Sequence, residues 1–384
     1  MSTFHTLLNT LASYCKSSVL IAIFLGIALA ACSDRNETAS DGQGQSVVDV
    51  QGRKVVIDGP KKRLAIDDSR YLIALALLHD DPGSLLAAWA HDANRLGDEG
   101  YAAFLEKSPS LEELPRIASS AQEFDVESLI AARPDIAILS TESGLTQAQI
   151  ARVEEAGIPV VMLDFFTSPM ANLEKSLTIL GEVTGQEEKA ARFLAYRKQK
   201  IDLIRRRLAD MPEADRKLVF MEAHAGGSPD CCNSPGSGNA SEYLELVGGH
   251  NIGADAIAQS SGKLSLEYVL SRDPDIYIGT GGPHLAQRGG LELGAGYSQQ
   301  AARQSLAKVV QRRGIAGLGA VREGQAFGFS HQLLNSPLDI VAIEAFAQWL
   351  HPELFADLDP AETLESINTD YLGIPFEGTY WIAL

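Results

Sequence analysis

The stretch DVESLIAARPDIAIL, Asp125 to Leu139, returns as SLEYVLSRDPDIYIG, Ser265 to Gly279. Aligned on Glu127 and Glu267, both run from a glutamate through a short apolar-rich helical stretch to Pro-Asp-Ile-x-Ile. The proline stands seven positions after the glutamate each time. A helical pattern that stops at a proline and gives way to a β-branched run is a helix–strand unit. Two such units, 140 residues apart, imply two related α/β lobes. A length of 384 residues agrees, because one hydrophobic core seldom serves so many.

The flanking sequence alternates in the same way. VVDVQGRKVVI turns at Gln51-Gly52 and reads as a hairpin. RLAID, SLLAAW, DIAIL and PVVMLDF read as strands, and YLIALALL, VESLIAA and QAQIARVEEAG as the helices among them. From Met170 to Leu208 the pattern is helical, with Leu173, Leu177, Leu180, Phe193, Ile201, Ile204 and Leu208 on the apolar face. This is mostly one long helix, interrupted around Gly181 to Gly185. Alternation then resumes with the strands KLVFMEA, DIYIG and QAFGFS, the helices ASEYLELVGG and LEYVLS, and closing helices over 338–350 and 361–371. Such alternation calls for parallel β-α-β units.

The first residues are not fold. Lys16 is the only Lys, Arg, Asp or Glu in the first 31 positions, and an apolar run from Val19 to Ala31 is short for a membrane span and suits a signal peptide. It ends in Leu29-Ala30-Ala31-Cys32, which resembles a bacterial lipoprotein signal with Cys32 as the lipidated residue. Residues 32–46 are polar and read as a flexible tether. The chain thus divides into a signal (1–31), a tether (32–46), an α/β lobe (47–169), a connecting helix (170–211) and a second α/β lobe (212–384).

The net charge of −18 repels phosphate backbones and excludes nucleic acid as a partner. Cys15 leaves with the signal, so Cys231 and Cys232 remain, adjacent, in an oxidising compartment. They read as a vicinal disulfide in a Gly/Ser/Pro-rich loop; a thiol pair would fill only half of a soft-metal site.

In order and spacing, VVDVQGRKVVI, VESLIAARPDIAIL, EEAGIPVVMLD, the connecting helix, KLSLEYVLSRDPDIYI and LGAVREGQAFGFS resemble the helical-backbone (class III) substrate-binding proteins of ABC importers for iron–siderophores, haem and cobalamin. The resemblance runs from about Val47 to Leu384. It implies an α/β fold of two Rossmann-like lobes joined by a single long helix, with the ligand cleft between them. It also implies a monomeric, lipid-anchored periplasmic receptor that delivers a ferric chelate to a permease dimer. In this family one exposed glutamate per lobe docks into an arginine pocket of the permease, and Glu127 and Glu267 are the matching positions. No intrinsic cofactor is implied; iron would be bound only through a chelate, haem included.

Ligands of open α/β sheets lie beyond the carboxyl ends of the strands. Those ends supply Asp68, Ser69, Arg70 and Tyr71; Trp89, His91, Asp92 and Arg95; and Phe165 and Phe166. The second lobe supplies His224, the loop with Cys231 and Cys232, and His331. Arginine forks and aromatic rings suit an anionic, partly aromatic chelate. From these we take Arg70, Tyr71, Trp89, Arg95, Phe166, His224, Cys231, Cys232 and His331 as ligand contacts and expect no metal-ligating set, although a lone Tyr71 or His331 could serve haem iron. Cys231 with His224 as base is the one enzyme-like alternative, without a Gly-x-Ser-x-Gly, His-Glu-x-x-His or phosphate-loop motif to support catalysis. The anchor is testable directly: Cys32→Ala abolishes labelling of the protein by radiolabelled fatty acid, and equal labelling of mutant and wild type would place the lipid elsewhere.

Overall fold

A computed structural model describes residues 45–118, 124–228 and 230–384. Cys15, Cys32, the signal and the tether up to residue 44 lie outside the described residues. The first strand, Gln45–Val48, begins two residues inside the stretch read as tether and pairs antiparallel with Lys54–Ile57. Asp49 fixes this hairpin to the body. Its buried carboxylate accepts hydrogen bonds from the Gln51, Arg53 and Met162 amides and from Arg53 Nε.

Two parallel sheets follow. The first contains β1 (Leu64–Ile66), β2 (Leu86–Trp89), β3 (Ile136–Ser140) and β4 (Val160–Leu163), in the spatial order β2-β1-β3-β4. The second contains β5 (Lys217–Glu222), β6 (Gly249–Asn251), β7 (Ile276–Gly281) and β8 (Ala326–Ser330), in the order β6-β5-β7-β8. The two orders are equivalent, so the repeat in the sequence is a repeat of topology. A final strand, β9 (Trp381–Ala383), adds antiparallel to β8.

The quoted repeat has one local explanation in both lobes. Asp125 and Ser265 cap the helices Val126–Ala132 and Leu266–Arg272, each accepting from the amide three residues on. Arg133 and Asp273 then turn the chain in the left-handed region just before Pro134 and Pro274. The following aspartates tie the strands together at their entry: Asp135 accepts from the Lys62 amide at 3.2 Å, and Asp275 from the Leu218 amide at 2.8 Å.

Each sheet is buried on both faces, as parallel sheets with helical crossovers are. Alternate residues go to different cores. Ala65, Ala137, Leu139 and Val160 face an outer cluster of the first lobe, and Phe220, Tyr277 and Ala326 an outer cluster of the second. Leu64, Ile66, Ile136 and Ile138 share a third, central core with Val219, Met221, Ile276 and Ile278.

The connecting segment is interrupted at the end of the stretch expected, which divides it into two helices, Pro169–Thr184 and Glu187–Leu208. Gly185 separates them, with φ of +67°, and a Cβ there would lie 2.8 Å from Pro60 Cγ. Both helices contribute to the central core through Leu173, Leu177, Leu180, Phe193, Ile201 and Ile204. Within it Arg197 is bidentate to Asp339, at 2.7 and 2.6 Å, both side chains almost fully buried. Removing one partner strands the other charge. Arg197→Met is therefore expected to cost about 3–5 kcal/mol in denaturant unfolding, and adding Asp339→Asn to recover part of it.

Candidate functional site

The carboxyl ends of all four strands of the first sheet converge on a cleft of about 790 Å³. Arg70 follows β1, Arg95 follows β2, Glu142 follows β3 and Phe166 follows β4, and all four line it. From the second sheet, β5 leads to His224, β7 to Thr280 and His284, and β8 to His331. A short ribbon, Asn233–Pro235 paired antiparallel with Ser261–Lys263, makes a further wall.

The two arginines are held from behind. Asp68 accepts from Arg70 Nε at 2.9 Å and Nη2 at 2.5 Å, and from Arg95 Nη1 at 2.7 Å. Arg95 Nε also pairs with Asp92 at 3.1 Å. Burial pushes the Asp68 carboxyl up, but the Arg70 guanidinium and then Arg95 outweigh it and hold it well below the usual carboxylate range. Arg70 lies over the Phe166 ring, 4.2 Å from its centroid. Neither Asp68 nor Asp92 lines the cleft. The lining itself carries Arg70, Arg95, Arg288, Lys263 and Glu142, while Asp68 and Asp92 line an adjoining recess behind the two arginines and Lys263 Nζ lies 3.3 Å from Asp230 Oδ2.

Three imidazoles occupy the opposite wall. His224 Nδ1 lies 2.9 Å from His284 Nε2, the His224 and His331 rings stack with centroids 4.4 Å apart, and one nitrogen from each of the three falls within 4.8 Å of the others. Thr280 Oγ1 contacts His331 Nε2 at 2.6 Å, and Asn335 Nδ2 lies 3.3 Å from its Nδ1. Burial, His224 and the cleft arginines push His284 down to about 4. Burial and the neighbouring histidines likewise push His331 well down. Burial and Arg70 lower His224. All three are neutral at pH 7 and can offer lone pairs.

Several expectations are corrected. Trp89 is not at the cleft: it is fully buried, with Nε1 donating to the Leu111 carbonyl at 2.9 Å. Tyr71 is also core, its hydroxyl donating to the Leu163 carbonyl and its ring edge-on to Phe165. His91 turns away to the Leu114 carbonyl. Cys231 and Cys232 are joined as a disulfide but stand outside the cleft lining, Cys232 fully buried in the outer core of the second lobe. Against the expectation of no metal-ligating set, His284 stands with His224 and His331, close enough for the three to hold a metal ion. His284 lies in GGPHLAQRGG, directly after the strand DIYIG, so the strand-end rule that yielded its partners points to it as well. Glu127 and Glu267 sit exposed in the first turns of their helices, away from the cleft lining, and Glu127 pairs with Arg152.

The periplasmic binding protein family matches residues 75–332, and the chain belongs to it. This is a family of substrate-binding proteins that serve ABC transporters. The chain is similar to YvrC of Bacillus subtilis, an uncharacterised ABC transporter substrate-binding lipoprotein, at 23% identity over 61% of this chain and 67% of YvrC. It is similar to a cobalamin-binding protein of Halobacterium salinarum at 29% identity, over 40% of each chain. Among solved structures it resembles the TroA-like periplasmic binding protein FepB of Veillonella parvula, with a TM-score of 0.75 at 23% identity, over 88% of this chain and 99% of that one. No helix among the described residues is long and apolar enough to cross a membrane.

Beside Asp68 lies a group with the opposite shift. Burial, and then the Asp68 charge, push Asp67 up to about 7, against hydrogen bonds from the Ser140 amide and hydroxyl. A raised carboxyl pKa means the folded state holds the proton more tightly, so its contribution is full below pH 3.8 and is lost as pH rises to about 7. The unfolding free energy should therefore fall across that window by at most about 1.4 kcal/mol per pH unit. Asp67→Asn should flatten this slope in urea titrations run at several pH values.

Proposed function

We propose that the protein captures an anionic metal chelate, a ferric siderophore foremost, and delivers it to an ABC importer from a lipid-anchored position outside the cytoplasmic membrane. The observation that carries this reading is the charge of the cleft. A chain of net charge −18 places four cations and one carboxylate on the lining of a single cavity, with Asp68, Asp92 and Asp230 paired to three of the cations from behind. Guanidinium forks held at fixed angles by Asp68 suit catecholate, hydroxamate or carboxylate oxygens, and Phe166 offers an apolar face. Haem and cobalamin are the alternative cargoes of the same cleft. Against the enzyme-like alternative, Cys231 is bonded to Cys232 and neither lines the cavity. In this reading Cys32 carries the lipid, and Glu127 and Glu267 meet the two halves of the permease.

Capture and delivery separate in one matched experiment. Native mass spectrometry with ferric siderophores, haem and cobalamin identifies the cargo; uptake is then measured with the same compound. Arg70→Ala and Arg95→Ala each remove a charged hydrogen bond, about 1.5–3 kcal/mol or one to two decades of affinity. They are expected to weaken binding at least tenfold, and added salt to weaken wild type more than the mutants. Glu127→Arg with Glu267→Arg is expected to abolish uptake and leave affinity within about threefold. Unchanged binding in both arginine variants would end the anionic-chelate reading, and lost binding in the glutamate variant the docking assignment.

A further inference from the structure

We propose that His224, His284 and His331 coordinate the cargo's metal directly, taking three positions that the chelate leaves open. This rests on the chelate reading above and narrows it. The cargo is then a transition-metal complex with no more than three chelate donors, rather than a hexadentate complex whose metal is already enclosed.

The geometry comes from the sheet. His224, His284 and His331 follow β5, β7 and β8, which are adjacent in that order, so the three rings are brought together at one edge. Metal–nitrogen bonds of about 2.1 Å place neighbouring donors about 3.0 Å apart on an octahedron and about 3.4 Å apart on a tetrahedron. His224 Nδ1 and His284 Nε2 are already 2.9 Å apart, and the whole set spans 4.8 Å. Thr280 and Asn335 hold the two ring nitrogens of His331, so a ring rotation that frees one of them completes the face and leaves the other partner to orient the metal-bound imidazole.

The arginines decide in what form the metal arrives. A bare dication beside Arg70, Arg95 and Arg288 is repelled. A metal carried by a polycarboxylate or a small oxygen chelate is attracted, its anionic oxygens turned to the guanidiniums and its open face to the imidazoles. Imidazole ligands favour nickel, cobalt, zinc, copper and iron over magnesium or calcium.

The test uses three probes on the purified protein: the nickel(II)–citrate complex, aqueous nickel(II), and a ferric complex of a hexadentate trihydroxamate. Affinities are read by calorimetry for wild type, His224→Ala, His284→Ala, His331→Ala and Arg288→Ala. X-ray absorption at the nickel edge counts imidazole nitrogens in the wild type and so needs no variant to fold. The expected result is nickel–citrate bound through three imidazoles, at least tenfold weaker in each histidine variant, with aqueous nickel weaker than its citrate complex. The inference is overturned if wild type fails to bind nickel–citrate, or binds it without imidazole nitrogens. If the hexadentate ferric complex binds with dependence on the arginines alone, the inference also falls but the chelate reading stands. If aqueous nickel binds as tightly as the citrate complex and Arg288→Ala does no harm, the histidine site stands and the chelate reading falls.

Discussion

The inner faces of the two sheets are buried in a single core, and everything at the cleft depends on that. Leu64, Ile66, Ile136 and Ile138 from one sheet and Val219, Met221, Ile276 and Ile278 from the other belong to one continuous cluster with the connecting helices. Swinging the lobes apart would expose this surface at about 25 cal/mol per Å², so a few hundred Å² costs several kcal/mol. Backbone contacts add to the restraint: the Asn239 amide donates to the Thr167 carbonyl at 2.8 Å, and the Gly373 amide to the Ala76 carbonyl at 3.1 Å. Both restraints oppose a wide swing of one wall of the cleft against the other.

Much of this was legible because it is periodic. The helix–strand repeat revealed two lobes, and the structure shows why it recurs: capped helix, left-handed turn before proline, and an aspartate that ties neighbouring strands together. What was not legible was the direction of individual side chains near the strand ends. Trp89 is the last residue of β2, and pleating decides that it points into the central core, whereas Arg95, a helical turn further on, returns to the cleft. Tyr71 and Arg70 are adjacent, yet a helix starting at Tyr71 buries the ring and leaves the guanidinium at the edge. Glu142 comes from a loop, Lys263 from a three-residue strand and Arg288 from a single 3-10 segment, all too short for a period to mark a lining position. The break in the connecting segment was legible in its glycines, although the apolar pattern continues through Gly185.

The electrostatics of the cleft also follow from distance rather than composition. A strongly acidic chain would repel an anionic ligand at long range, but surface charges further away than about 8–10 Å are screened at moderate ionic strength. Inside the cleft, four nearby cations prevail over the distant acidic surface. Asp68 offsets part of their charge, but it lies behind the guanidiniums and fixes their forks, so their N–H groups meet a ligand before the carboxylate does. Its buried charge is itself stable only while both arginines remain, so the pair of cations and the carboxylate form one preorganised unit.

Under the delivery reading, the same repeat also relates the glutamates to the cleft. In a β-α-β unit the helix runs back against the strands, so a helix start lies at the carboxyl-end edge of its sheet. Glu127 and Glu267 occupy the first turns of such helices, at topologically equivalent places in two sheets of the same strand order. The cleft opens at that same carboxyl-end edge. A partner gripping both glutamates therefore faces the mouth of the cleft, and a partner with its own twofold symmetry can offer each glutamate the same pocket. The Glu127–Arg152 pair does not obstruct this, since both side chains are more than half exposed and the exchange of one guanidinium partner for another in water costs little. What the repeat preserves across 140 residues is thus a single relation, met once in each lobe: a capped helix start carrying an exposed carboxylate, set beside the edge where the strands deliver the ligand-facing side chains.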